Sequence, residues 1–515
     1  MSILQRFRSR PDLDGGGGNE ATQSPRSRNP ALTTGLPISY ATRGIRVPEP
    51  SVAELAKQVA DTQKLVLSGQ TALNIVWTLV TGFLVMFMQA GFALVETGLT
   101  RAKNVAHTMG MNFLVYAIGI IGFWAIGFGL QMGGVGPLPT FGGDPTLSGE
   151  FFITIGGKAF GLFGTHGFFL TPAVYTAPVA ALFLFQMVFM DTAATIPTGA
   201  MAERWSFTSF VLLSLVISTI SYPIYANWVW GGGWLSQLGA NFGLGHGHVD
   251  FAGSSVVHMV GGVTALVGAK MLGPRIGKYG PDGRARPIPA HNIPMVVLGT
   301  FILAFGWFGF NPGSTLSGTD THIAIIATNT MLASASGAFG AYLWLKFRFG
   351  TPDVSMLCNG MLAGLVAITA PCAFVTAPAA IFIGLIAGVL VVVSAMFIEN
   401  RLKIDDPVGA ASVHGVNGAW GILALGLFAD GRYGDGWNGV PGPVRGLFYG
   451  DSSQFVASVI GVLVCAAWVG AVTFIAFRVI DAVAKHRVPP SSELGGLDVP
   501  EMGIEGYAVE IGGPE

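Results

Sequence analysis

Two stretches of this 515-residue chain repeat one pattern, Asp-x-x-Gly-x-x-x-Val-His: Asp250 to Gly253 with Val257 and His258, and Asp406 to Gly409 with Val413 and His414. Each opens a long apolar stretch, so each copy sets one imidazole inside a hydrophobic segment. An ionisable side chain in such a place costs a few kcal/mol in a membrane and marks a functional site whose partner must be named. Here the partner is the other histidine. Neutral imidazoles in contact hold complementary tautomers, one nitrogen donating and the other accepting, and can hand a proton along. A lone buried histidine is more often a satisfied structural residue; two at matching repeat positions reverse that weighting. Each Asp sits where a helix amino terminus favours negative charge and has free N–H groups. A cap alone and a role beyond capping both stay open for it.

The elements that position these residues follow from the hydropathy. Hydrophobic residues make up 51% of the chain and charged ones 11%, with apolar runs near positions 71, 108, 176, 207, 252, 293, 323, 356, 378, 408 and 454. Charge-poor runs of about 20 residues read as membrane helices. The chain is therefore predicted to be an all-α polytopic membrane protein of eleven transmembrane helices. Its 74 glycines suit a packed bundle, because small residues let membrane helices approach closely. The two Asp-to-His copies fall on the fifth and tenth helices, and five per half is an odd number. The fold is then two inverted five-helix repeats plus a final helix. Eight residues separate each Asp from its His, about 12 Å of depth at 1.5 Å per residue, against a hydrocarbon half-thickness of about 15 Å. Both imidazoles reach the midplane from opposite sides, where transporters built from inverted repeats hold their sites.

Charge orients the bundle. One set of connecting segments holds Arg101, Lys103, Arg204, Lys270, Arg275, Lys278, Arg284, Arg286, Lys346, Arg348, Arg401 and Lys403; the other holds Lys158, Arg432 and Arg445. The positive-inside bias makes the first set cytoplasmic, with the amino terminus outside and the carboxy terminus in the cytoplasm, in the cell (inner) membrane. The net charge of −1 argues against a nucleic-acid partner, which demands clustered basic surface. Cys358, Cys372 and Cys465 are isolated in apolar runs and show neither disulfide nor metal spacing. The expected organisation is an extracytoplasmic tail over 1–70, low in apolar content apart from a short surface helix within Ser51 to Ser68, a membrane domain over 71–485 and a cytoplasmic tail over 486–515. Trp228 and Trp234 read as interface-belt residues.

The motifs resemble those of the ammonium transporters of the Amt/Mep/Rh superfamily. The resemblance rests on Phe185-Gln186-Met187-Val188-Phe189, on Gly199 to Arg204 (GAMAER), on Trp230 to Gly233, on Asp250-Phe251-Ala252-Gly253 up to His258, on Gly309-Phe310-Asn311-Pro312-Gly313-Ser314, and on Asp406-Pro407 up to His414-Gly415, in family order from about residue 71 onward. Glu493 to Asp498, Gly503 and Glu505 to Tyr507 resemble the family's carboxy-terminal motif. By this resemblance Phe185, Trp230 and Ser314 match an outer recruitment site for ammonium, and Asp250 an outer acidic residue linked to capture or proton release. Phe189 and Phe310 match the stacked pair that closes the pore, and His258 and His414 the pair that lines it and relays a proton. The resemblance further implies a non-enzymatic transporter without metal or cofactor, a homotrimer with one pore per subunit in a lipid bilayer, and a PII-type regulatory partner at the cytoplasmic face. A bare ion crosses a narrow apolar lumen only at great cost, so ammonium would shed a proton outside, pass as ammonia and regain one inside.

Two other function classes compete: an ammonium sensor that signals through a separate partner, and a membrane oxidoreductase in which the histidines ligate haem or metal. No redox motif accompanies the latter. The chain departs from the family pattern at Asp191, a carboxylate where a small apolar residue is expected, and at Met502, where the tail motif usually has histidine. Glu96 is a second acid within a span; it and Asp191 each read first as a structural hydrogen-bond partner, with a place on a proton path as the alternative. The Gly-rich 131–175 segment and the leading tail have no counterpart in the family core.

Overall fold

The computed structural model describes residues 50–507; the expectations for the leading tail before Pro50 lie outside them. Of the described residues, those from Pro50 to Val59 fall in one unit and those from Ala60 to Tyr507 in the other. In the first, Ser51 and Glu54 build a capping box, with Ser51 N–H donating to Glu54 Oε2 at 2.7 Å and Glu54 N–H to Ser51 Oγ at 3.3 Å, which starts a helix. That helix, α1 (Val52–Leu99), runs unbroken through the position where a short surface helix was expected to end.

Ten further helices follow: α2 (Ala102–Met132), α3 (Ala177–Met201), α4 (Phe207–Trp230), α5 (Ser254–Leu272), α6 (Ile293–Thr315), α7 (Ile323–Phe349), α8 (Val354–Thr369), α9 (Ala377–Asn400), α10 (Ala411–Phe428) and α11 (Ser452–Val483). All but α8 are long and apolar enough to cross a membrane. At about 24 Å by the helical rise, α8 is shorter than the hydrocarbon core; it ends just before Pro371, where Ala370 N–H turns aside to Ser254 Oγ at 2.7 Å. Ten of the eleven expected spans are thus present among the described residues and the eleventh is the shorter apolar α8, with the two Asp-to-His copies at the starts of α5 and α10. Bulky apolar side chains such as Phe83, Phe87, Leu298, Phe301 and Phe305 are exposed, as a surface in contact with lipid tails requires.

Glycine lets the halves meet. A Cβ on Gly262, one turn beyond His258, would run into the backbone of Gly415, the residue after His414. Without it α5 and α10 touch main chain to main chain, and their histidines are forced together.

One element was not foreseen. The 131–175 segment folds into an antiparallel hairpin, β1 (Glu150–Ile155) with β2 (Lys158–Gly164), Ile155 facing Lys158. Gly156 and Gly157 take φ of 59° and 77°, the two-residue turn that matches strand twist. The hairpin is tied to the Trp230 end of the bundle, where Gly161 O accepts Trp234 N–H at 3.0 Å and Leu162 O accepts Trp228 Nε1 at 2.9 Å. Trp228 and Trp234 are therefore packed under this hairpin, and Trp228 also meets Trp468 at 5.1 Å between ring centroids.

At the opposite end the chain's last described residues are bound across the loops. Glu493 accepts Arg487 Nε at 3.0 Å and Ile276 N–H at 2.6 Å, Asp498 accepts His107 N–H at 2.9 Å, Glu501 accepts Phe207 N–H at 2.8 Å, and Tyr507 meets His291 Nε2 at 2.9 Å. Met502 lies against Gly110. Beneath this layer Arg275 holds Asp405 through Nε at 2.8 Å and Nη2 at 3.0 Å, and Glu203 pairs with Arg101 and Arg275.

Candidate functional site

The helices that carry the histidines begin four and five residues after their Asp, later than the sequence suggested, and each opens with a wide π-type turn, Ser254–Met259 and Ala411–Val416. The Asp side chains reach forward to cap those turns. Asp250 Oδ1 accepts Gly253 and Ser254 N–H at 2.8 and 2.9 Å; Oδ2 accepts Ser255 N–H, Ser255 Oγ and Val256 N–H at 2.7, 2.7 and 3.0 Å. Asp406 accepts Val408 N–H at 3.3 Å, Gly409 N–H at 2.9 Å and Ala411 N–H at 2.8 Å. A carboxylate with this many donors answers the free N–H groups of a helix start. Wide turns of this kind recur at functional sites, and both here carry the histidine.

His258 and His414 face each other with Nδ1 atoms 3.2 Å apart and both rings buried. Two protonated Nδ1 atoms would repel at that distance, so one donates, the other accepts, and the pair holds opposite tautomers. His258 Nε2 is buried without a hydrogen-bond partner. Trp307 lies flat on His258 at 5.2 Å, and its own Nε1 donates to Thr369 Oγ1 at 2.9 Å.

Rings continue from the pair toward one end of the bundle. His258 stacks on Phe310 at 5.5 Å, Phe310 on Phe189 at 4.1 Å, and Phe189 leans on Phe185 at 4.6 Å. Above Phe189 lies a cavity of about 150 Å³ lined by Phe185, Gln186, Phe189, Trp230, Phe251, Ser314 and Trp437, among others. Ser314 Oγ spends its proton on Phe310 O at 2.8 Å, which leaves the oxygen a pure acceptor toward the cavity. Trp230 is held by its indole, Nε1 donating to Asp250 O at 2.7 Å.

The structure thus brings Phe185, Phe189, Trp230 and Ser314 to one cavity, Phe310 beneath it, and His258 and His414 beneath that. It keeps the Asp250 carboxylate away from that lining: the acid is wholly engaged in its cap and touches the site through its carbonyl. Sequence reasoning missed Gln186, Phe251 and Trp437. The first two sit inside motifs already quoted; Trp437, in a Gly-rich loop, had nothing to single it out among 11 tryptophans. Of the two unexpected acids, Glu96 accepts Asn112 Nδ2 and Thr198 Oγ1, both at 2.7 Å, as expected of a structural partner. Asp191 does not match that expectation: it is buried, and its Oδ1 has no partner. A second cavity, about 160 Å³, lies on the Asp406 side and is lined by Leu99, Asn359, Asp406, Val408 and Ser412, among others. No cluster of His, Cys, Asp and Glu fit for a metal occurs among the described residues.

Comparison with known proteins identifies the class. Residues 76–507 match the model of the Ammonium Transporter Family. The chain is 46% identical over 437 residues to the ammonium transporter Amt2 of Archaeoglobus fulgidus, covering 84% of this chain and 88% of that one, and 37% identical over 456 residues to Amt1 of Haloferax mediterranei, covering 86% and 81%. Among solved structures it resembles a sensor Amt protein, with TM-score 0.73, 36% identity and coverage of 84% and 99%, and Candida albicans Mep2, with TM-score 0.66, 27% identity and coverage of 82% and 88%. This chain belongs to the ammonium transporter family, whose members are multi-pass membrane proteins and not enzymes.

Proposed function

We propose that this protein moves ammonium across the cell (inner) membrane by capturing the ion in the Trp230 cavity, deprotonating it and conducting ammonia, with or without the proton, past the Phe189–Phe310 pair and along His258 and His414 into the cytoplasm. The observation that carries this reading is the unbroken column of rings from cavity to histidine pair. Cation–π attraction of about 0.5 to 2 kcal/mol per favourable ring suits reversible capture, and Ser314 Oγ accepts one N–H. Below the cavity the stacked phenyl rings offer a cation nothing in place of its hydration shell, so the ion must shed charge to go on. Neutral ammonia has no charge to desolvate, and the opposite tautomers of the pair would give it both a donor and an acceptor. Potassium has no proton to shed and stops at the rings. Asp250 acts at one remove, fixing Trp230 and the start of α5.

The basic loops at the tail-bearing end support an orientation with that end cytoplasmic and the amino terminus outside. The proposal keeps a 1–70 extracytoplasmic tail, a 71–485 transport domain and a 486–515 cytoplasmic tail, as well as a homotrimeric assembly and a PII-type partner at the cytoplasmic face. A second reading, an ammonium sensor signalling through a separate protein, is favoured by one observation: the similar solved structure bears the name of a sensor.

The test is an ammonium jump on purified protein in liposomes on a solid-supported membrane, beside potassium and protein-free controls. A sustained ammonium-specific current whose decay quickens with protein density is the expected result if the proton crosses too. Ammonium-driven alkalinisation without current would mean neutral ammonia conduction, and silence in both would favour the sensor.

A further inference from the structure

The 131–175 segment that the family resemblance leaves unexplained delivers a carboxylate to a hydrogen-bond network that ends at the cavity. Glu150, the first residue of β1, accepts Asn227 Nδ2 through Oε2 at 3.1 Å; the same Nδ2 donates to Gln131 O at 3.1 Å; and Gln131 Nε2 donates to Gln186 Oε1 at 2.8 Å. Gln186 lines the cavity, and Asn227 lies one turn before Trp230 on α4. The network therefore joins the hairpin to two elements of the capture site.

Its hydrogen bonds do not balance. Glu150 Oε1, Asn227 Oδ1 and Gln131 Oε1 are all buried acceptors without a donor, and the Asn227 and Gln131 residues are fully buried. Buried polar atoms are nearly always paired; three acceptors with no donor make this network electronegative, and it ends at Gln186 in the cavity lining. No lysine or arginine among the described residues pairs with Glu150: Asn227 of α4, Gly134 and Gly161 pack against its carboxyl, and the titratable neighbour is His166, exposed beside Gly149.

We propose that Glu150 is a positioning residue for capture, a carboxylate that biases the cavity toward cations and orients Gln186 through Asn227 and Gln131. The inference rests on ammonium capture at the Trp230 cavity. Burial pushes the Glu150 carboxyl up to about 7, so its charge is present above that pH and is lost as pH falls through it. Ammonium keeps its proton throughout this window. Capture therefore tightens as pH rises through about 7, by roughly fivefold for one charge acting through partly polar, partly solvated surroundings.

The test is the half-saturating concentration of ammonium chloride for the current or alkalinisation signal of the full chain in liposomes, read about one unit below and one above the Glu150 value. In the natural protein it is expected to fall about fivefold from the acid to the alkaline side. In Glu150→Gln it stays at the acid-side value with the maximal signal retained. Glu150→Asp, which keeps the charge on a shorter arm, retains a pH dependence with a displaced midpoint. A well-folded Glu150→Gln that tracks the natural protein at both pH values overturns the role of Glu150, as does a pH-independent Glu150→Asp of normal stability. No ammonium-specific signal from the natural protein overturns the transport reading itself.

Discussion

At the scale of single residues, the Nδ1–Nδ1 contact of His258 and His414 is the most demanding feature, because two buried imidazoles without other partners exist only as a complementary pair. Replacing both with alanine removes the donor and acceptor beneath Phe310 while leaving the Gly262–Gly415 backbone contact intact. Ammonium flux or its selectivity over potassium is expected to collapse, while size-exclusion with light scattering still shows assembled protein; unchanged flux and selectivity would end the relay idea. Ser314→Ala tests the acceptor over Phe189. It should raise half-saturating ammonium about tenfold or more, one hydrogen bond to a charged partner contributing about 1.5 to 3 kcal/mol, with little change in maximal rate. Asp250→Ala separates two roles. Loss of the cap lowers stability by about 1 to 2 kcal/mol; the backbone carbonyl that holds the Trp230 indole stays in place, so capture weakens only as far as the uncapped turn shifts that carbonyl. A lower melting temperature with unchanged half-saturation would leave the cap as the residue's whole task.

At the scale of elements, the spans and the repeat were legible because hydropathy and the duplicated motif are both local signals. The hairpin was legible in principle: Phe151 to Ile155, a Gly-Gly pair and Lys158 to Gly164 form the strand-turn-strand signature. It went unread because glycine-rich composition reads first as loop. The later starts of α5 and α10 could not be foreseen, since they arise from how each Asp carboxylate and the following Gly carbonyl divide the first N–H groups between them. The cavity was legible only where motifs marked it: Trp230, Phe185 and Ser314 came from the family pattern, whereas Trp437 reaches the site by the path of a loop that no periodicity encodes. Gly262→Val tests the crossing of α5 and α10. A branched side chain against the Gly415 backbone must push the helices apart, so this variant is expected to lose transport and to melt well below the natural protein in a detergent thermal-shift assay.

At the scale of the whole molecule, the tail-bearing end is held by an ion-pair layer that joins both halves. Burial alone would push the Asp405 carboxyl up, but the hydrogen bonds and charge of Arg275, with Arg204 near by, outweigh it and hold the group well below the usual carboxylate range. A depressed carboxyl contributes stability at every pH above its unfolded value and loses that contribution only as pH falls through the folded one. The layer is therefore expected to survive mild acid and to yield in strong acid, which a melting series against pH will show. Arg275→Ala strands Asp405 without its partner, and breaking a buried pair costs about 3 to 5 kcal/mol; the same melting assay is expected to register that loss at neutral pH.

The meeting of α5 and α10 at Gly262 and Gly415 carries one more consequence. The histidine pair belongs to neither repeat: each half supplies one imidazole and one bare stretch of backbone, and neither is useful without the other. Drift in one half must be answered in the other, so after any ancestral duplication the two copies diverged as partners and not as independent units. Paired substitutions should therefore concentrate across this seam in an alignment of relatives, at 262 with 415 and at 259 with 418, where a Cβ on Gly418 would press on Met259, because co-varying positions mark spatial contact.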